Sequence, residues 1–178
     1  MLNTVMERDP ITKAIYGGIK KGIKITLEHD CYASAVILIL SGIDSMAYLN
    51  MPAEKKDAGK NDFIEWADRY IQFPCEEKLT GPDLYGARCS MLHSYGVVSK
   101  MSREGKCRMV GYMSESVPEI RFNGKVNKNF VLVSVPALAE SFFSGIDHFL
   151  IDLFSNKAKA KIAEDRLKWF VQEIPVKE

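Results

Sequence analysis

The sequence predicts a mainly α-helical fold: a bundle of five to six helices with a small antiparallel β-hairpin or sheet inserted between the fourth and fifth helices. Three observations predict it. Residues from about Cys31 to Leu49 are apolar nearly all round, the mark of a buried central helix. Ile11, Ile15, Ile19 and Ile23 recur at every fourth position, which draws one face of an amphipathic helix. Over residues 107–135 the apolar period shifts from helical toward two, as strands require. The 178 residues contain no glycine-serine linker, so residues 1–178 read as one domain, long enough to bury a proper core.

The elements follow in order. Asp9-Pro10 opens the first helix, with aspartate as cap and proline in the first turn. Gly17, Gly18 and Gly22 weaken it by about 1 kcal/mol each relative to alanine and leave room for a neighbour. Lys20, Lys21 and Lys24 read as its solvated side. The central helix ends at Asn50-Met51-Pro52, and 52–60 reads as an exposed charged loop. A third helix from about Asp62 to Ile71 places Phe63, Trp66, Ala67 and Tyr70 on one face. Thr80-Gly81-Pro82 starts the fourth, from Leu84 to Tyr95, with Gly96 as its stop.

Beyond it, Lys100, Arg103, Lys106 and Arg108 sit in a basic loop with Gly105. Strands are expected over 108–113, 119–122 and 130–135, with Asn123-Gly124 as a hairpin turn. Pro136 opens the fifth helix, which carries Leu138, Phe142, Phe143, Ile146, Phe149, Leu150 and Leu153. A last amphipathic helix is expected over 157–173 through Ile162, Leu167, Phe170 and Val171. Ser-Gly-Ile-Asp occurs at 41–44 and again at 144–147, where small residues allow those two helices to cross closely.

Bulk properties narrow the function classes. Twenty-four basic against 23 acidic residues give a net charge of +1, so nothing global steers the chain to nucleic acid or anionic lipid. A local basic patch remains open. Cys31, Cys75, Cys89 and Cys107 form no CxxC and no disulfide framework, which points to a reducing, cytoplasmic location. The polar first ten residues show no secretory leader. The apolar run from Cys31 to Ile43 is shorter than the roughly 20 residues that span a bilayer, so no membrane partner is expected. There is no GxxxxGK[ST] loop, no GxGxxG, no HExxH and no GxSxG. His29, His93 and His148 are scattered, so neither a metal nor another cofactor is expected.

One segment carries chemistry: Leu84-Tyr85-Gly86-Ala87-Arg88-Cys89-Ser90-Met91-Leu92-His93-Ser94-Tyr95-Gly96. It resembles the HEPN superfamily of small helical-bundle proteins, whose signature is an arginine and a later histidine with four to six residues between them on a late helix. Here the pair is Arg88 and His93, with Ser90 and Tyr95 beside them as supporting residues. The resemblance implies a homodimer in which two motif helices pack together, so that two Arg–His pairs share a cleft. It further implies a metal-independent endoribonuclease, in a defence or toxin–antitoxin setting with an antitoxin-like partner protein. Catalytic members often carry asparagine, aspartate or histidine directly after the arginine, where this chain has Cys89, and many members are binding modules without catalysis. A silent module that binds RNA, a nucleotide or a protein is therefore the alternative. A third reading is an interaction domain docking through the hairpin at Asn123-Gly124.

The chemistry suits these residue types. Histidine exchanges protons near neutral pH, and the planar fork of arginine holds two phosphoryl oxygens. Residues i and i+5 on a helix lie about 140° apart, so a single pair cannot line one groove. Lys100, Arg103, Lys106 and Arg108 are expected to bind the phosphate backbone. Arg88 projects from an apolar stripe with Leu84, Met91 and Leu92, and an unpaired charge there costs several kcal/mol. Asp44, among Leu40, Ile43 and Ala47, has the same problem with the opposite sign. The two are expected to meet, with Asp147 as second choice.

Overall fold

The structure, a computed structural model, describes residues 9–114 and 119–170. Helix α1 (Pro10–Ala14) starts where Asp9 accepts hydrogen bonds from the backbone N–H groups of Ile11 and Thr12. It runs into a π-helical segment (Ile15–Lys20) and then α2 (Lys21–Glu28) without a break. The wider π turn holds one residue more than an α turn. It brings Lys20 onto the buried face after Ile15, and leaves Ile19 only partly buried against the core. The expectation that Lys20 is solvated is therefore corrected: it is buried and bonds Asp147 at 2.8 Å. Its ammonium also lies 4.3 Å from the Tyr16 ring centroid, and the Tyr16 hydroxyl donates to the same carboxylate. Burial and the Asp147 carboxylate push the Tyr16 phenol up to about 12.

Helix α3 (Tyr32–Asn50) is the centre of the bundle, touched by α2, α4 (Lys60–Tyr70), α5 (Gly81–Ser94), α8 (Val135–Ser155) and α9 (Lys157–Leu167). Val36, Ile39, Leu40, Ile43 and Met46 are fully buried. Its 19 residues are long and apolar enough to cross a membrane, more than the shorter apolar run alone indicated. In the fold half of that apolar stretch is buried against the rest of the bundle, while Leu38 is exposed. The two Ser-Gly-Ile-Asp copies serve different contacts. A Cβ on Gly42 would lie 2.7 Å from Phe142 Cζ, so α3 and α8 cross there at the closest distance hydrogen permits. Gly145 instead faces the Tyr70 backbone carbonyl on α4.

Helix α5 begins with a capping box: the Thr80 hydroxyl accepts from Asp83 N, and the Asp83 carboxylate accepts from Thr80 N. Its end differs from expectation. Tyr95, not Gly96, takes the left-handed conformation, with φ of 53°. A short helix α6 (Lys100–Arg103) capped by Ser99 follows within the basic loop.

The sheet is mixed, not antiparallel. Its order is β1 (Met109–Met113), β3 (Phe130–Ser134), β2 (Ile120–Phe122), with β1 parallel to β3 and β2 antiparallel to it. Val110 pairs with Val131, and Ile120 with Val133, all buried. The two-residue hairpin turn at Asn123-Gly124 is corrected as well. Asn123 keeps a negative φ of −129°, and its side chain accepts from Lys125 N and Val126 N, capping a short helix α7 (Gly124–Asn127). Capping the next two donors competes with the left-handed turn, and here capping wins. The surface assigned to hairpin docking is thus a one-turn helix bearing an exposed Val126.

Helix α8 opens at Ser134 and Pro136 as expected. Helix α9 ends at Leu167, short of the expected 173; residues 171–173 lie outside the described residues. Its buried face carries Ala163 and Arg166, and the Arg166 guanidinium donates to the carbonyls of Met51, Pro52 and Lys55. Those carbonyls lie just past the end of α3, where no helical donor remains.

Candidate functional site

Arg88 projects from α5 toward α3, where its Nε donates to Asp44 Oδ2 at 2.8 Å. The pairing expected from two stranded charges is present, and Asp147, the second choice, is held by Lys20 and Tyr16 instead. The side chains of Arg88 and Asp44 keep 27% and 33% of their surface in contact with solvent. Burial works against the Arg88 charge, but the Asp44 hydrogen bond and carboxylate outweigh it and raise its pKa further. Among the described residues, neither terminal nitrogen of that guanidinium has a hydrogen-bond partner.

Both members of the pair line an open groove of about 1270 Å³. Lys13, Gly17 and Gly18, a polar stripe of α3, and Trp169 and Phe170 also line it. The stripe is Ser41, Asp44, Ser45 and Tyr48, spaced i, i+3, i+4 and i+7. That spacing was readable in the sequence as one polar line on an otherwise apolar helix. Lys13, Gly17, Gly18 and Trp169 left no such trace, because only packing brings them to the same opening.

His93 is exposed in the last turn of α5 and does not line the groove. Within one copy of the chain, imidazole and guanidinium are separate. His93 is surrounded along the chain by exposed apolar groups: Leu92, Tyr95 at 63% exposure, Val97 and Val98. Ser90 is buried, and its hydroxyl donates to the carbonyls of Gly86 and Ala87, so it braces the helix instead of facing a ligand. Burial, and then Cys89 one turn further on, raise the Tyr85 pKa.

The basic loop divides. Lys100 and Lys106 are exposed and both reach Glu104, at 3.8 and 2.7 Å, and Arg103 is exposed. Arg108 belongs elsewhere. Its guanidinium bonds Asp83 Oδ2 at 2.7 Å, Glu77, and the Lys78 carbonyl, which ties β1 to the start of α5. Each of its three side-chain nitrogens thus has an internal partner. Burial raises the Asp83 carboxyl, but hydrogen bonds from the Arg108 side chain and backbone and from Thr80 bring it below its ordinary value.

Among the described residues, no cluster of three or more His, Cys, Asp or Glu side chains is arranged to hold a metal ion. Compared with protein-family models, with curated proteins and with solved structures, the chain finds no match.

Proposed function

We propose that the chain is a metal-independent endoribonuclease of the HEPN type that acts as a homodimer. One observation carries the reading. Arg88 stands partly open on a groove with its orientation fixed by Asp44 and its terminal nitrogens unpaired among the described residues, while His93 is exposed on the same helix beside exposed apolar side chains. A second copy docked on Leu92, Tyr95, Val97 and Val98 brings imidazoles and guanidinium groups from both copies to one cleft.

There the neutral imidazole takes the proton of a ribose 2′-hydroxyl. The resulting oxygen attacks the adjacent phosphorus, and the P–O5′ bond breaks with a proton returned to the leaving oxygen. The products are a 2′,3′-cyclic phosphate and a 5′-hydroxyl. Arg88 neutralises the charge that grows on the phosphoryl oxygens. A fixed cation of this kind contributes most when Asp44 has already removed its freedom to wander.

The silent-module reading keeps one specific observation in its favour. The position after Arg88 holds Cys89, a half-buried free thiol that hydrogen-bonds more weakly than asparagine, aspartate or histidine. Both readings are tested with purified protein and mixed RNA in EDTA. The nuclease reading expects cyclic-phosphate ends, lost in Arg88→Ala and in His93→Ala. Mixing those two variants restores part of the activity if groups from two copies share a site. A Val97→Glu variant is expected to be monomeric by sedimentation and inactive. RNA binding without cleavage selects the silent module, and equal cleavage by wild type and both variants removes the nuclease reading.

A further inference from the structure

The groove beside Arg88 meets a second one, of about 540 Å³, lined by Tyr48, Lys55, Lys56 and Trp169 among others. Tyr48 and Trp169 belong to both. Trp169 is 82% exposed at this junction, a large apolar ring that the protein's own packing leaves open. The charges around it are not balanced. Lys55 is held by Asp62, Arg166 by three backbone carbonyls, and Asp165 by Lys161 and Lys168. Lys13 and Lys56 are exposed and have no carboxylate partner among the described residues. They give the joined grooves positive charge that no described carboxylate answers, and Arg88, whose charge Asp44 balances, adds its terminal N–H donors, although the chain as a whole is nearly neutral.

We propose that single-stranded RNA lies along this track, with one base stacked on Trp169 and the adjoining phosphates held by Lys56, Lys13 and Arg88. An aromatic face flanked by free cations is the combination that binds unpaired strands, because every base has a π-face and every link has a phosphate. A duplex is excluded, since its bases are already stacked on each other and show only their edges. At about 1270 Å³ the larger groove exceeds the roughly 300–1,000 Å³ of pockets that enclose one small molecule, which suits a continuous strand better than a mononucleotide. Gly17 and Gly18 keep its wall low: a Cβ on either meets nothing within 4 Å, so the space there is open to a ligand. The inference rests on reading Arg88 as a phosphate-holding group and adds the class of strand and its path.

The test uses the full chain in a His93→Ala background, so that the probe is not cut. The probe is a fluorescently labelled single-stranded oligoribonucleotide of about ten nucleotides. Trp66 is fully buried, so quenching of tryptophan emission on titration reports Trp169. Saturable quenching is expected with the single strand and not with its duplex. Trp169→Ala is expected to weaken binding roughly 5- to 150-fold, and Trp169→Phe to recover much of it. Lys13→Ala with Lys56→Ala is expected to flatten the slope of log affinity against log salt by about 1.4. Gly18→Leu, which narrows the groove without touching charge or the indole, is expected to weaken binding too. Undiminished affinity in Trp169→Ala, with affinity lost in Arg88→Ala, overturns the track and leaves the phosphate role of Arg88 standing. Absence of any RNA binding by the parent protein overturns both.

Discussion

Replacing Asp44 by alanine removes the acceptor of the Arg88 Nε bond and leaves a cation at the edge of the groove. The cost depends on how much water reaches that cation. A fully buried pair broken on one side loses about 3–5 kcal/mol, and a fully exposed one loses about 0.2–1 kcal/mol. With 27% and 33% of the two side chains exposed and an open groove alongside, this pair falls between them, at about 1–2 kcal/mol. Arg88→Ala is expected to cost a similar amount. In the double variant neither partner is stranded, so the combined loss should fall short of the sum by about 1 kcal/mol. Urea unfolding of the four proteins measures this directly. For a chain of this size 1 kcal/mol also shifts the melting temperature by about 2–4 °C. Losses that add to within about 0.3 kcal/mol would show that the 2.8 Å contact carries no coupling, and that Arg88 is not held by Asp44. Asp44→Asn separates stability from function: it keeps an acceptor for Nε but removes a negative charge from the groove, so RNA binding should tighten while Arg88→Ala abolishes it.

Three further outcomes follow from the packing. Arg166→Met keeps the buried stem but withdraws donors from the carbonyls of Met51, Pro52 and Lys55, and should cost about 3 kcal/mol in urea unfolding; an unchanged midpoint would remove Arg166 as the clamp on the end of α3. Gly42→Ala presses a methyl group to 2.7 Å from a Phe142 ring that is itself fully buried, and should cost about 1–3 kcal/mol, whereas Gly22→Ala meets Leu38 at an ordinary 3.7 Å and should stabilise by about 0.5–1 kcal/mol. Asp83 has its pKa lowered in the fold by Arg108 and Thr80 against the effect of burial, so its contribution is present above its ordinary value of 3.8 and is lost as pH falls through the lower folded value. Asp83→Asn should therefore be less stable than the parent near neutrality, with the gap closing as pH falls below 3.8, and a gap that stays constant with pH would contradict the ionised pair with Arg108.

Much of the helical frame is local and could be read from the chain. Asp9, Thr80 and Pro136 mark helix starts because a cap or a proline acts on the donors of the next few residues, whatever surrounds them. The partnership of Asp44 and Arg88 was legible for another reason. Each interrupts an apolar stripe, and a charge in that position has few energetically acceptable outcomes other than an opposite charge. The candidate site was legible only in part. Arg88 and the polar line through Ser41, Asp44, Ser45 and Tyr48 lie on periodic helices, whereas Trp169 follows the end of α9 and gains its meaning from what α1 and α3 place opposite it.

Local chemistry, then, determined the helices, their caps, the strand positions and the need for an acid to meet Arg88. Tertiary packing decided that a π turn carries Lys20 inward to Asp147, that β1 runs parallel to β3, that Asn123 caps a helix, and that Arg108 and Arg166 are internal clamps. The physical reason is the same in each case. A cap or an apolar stripe acts over one or two turns, but a long cationic side chain or a strand edge is satisfied by whichever acceptor the whole fold brings within reach, and no interval along the chain encodes that distance.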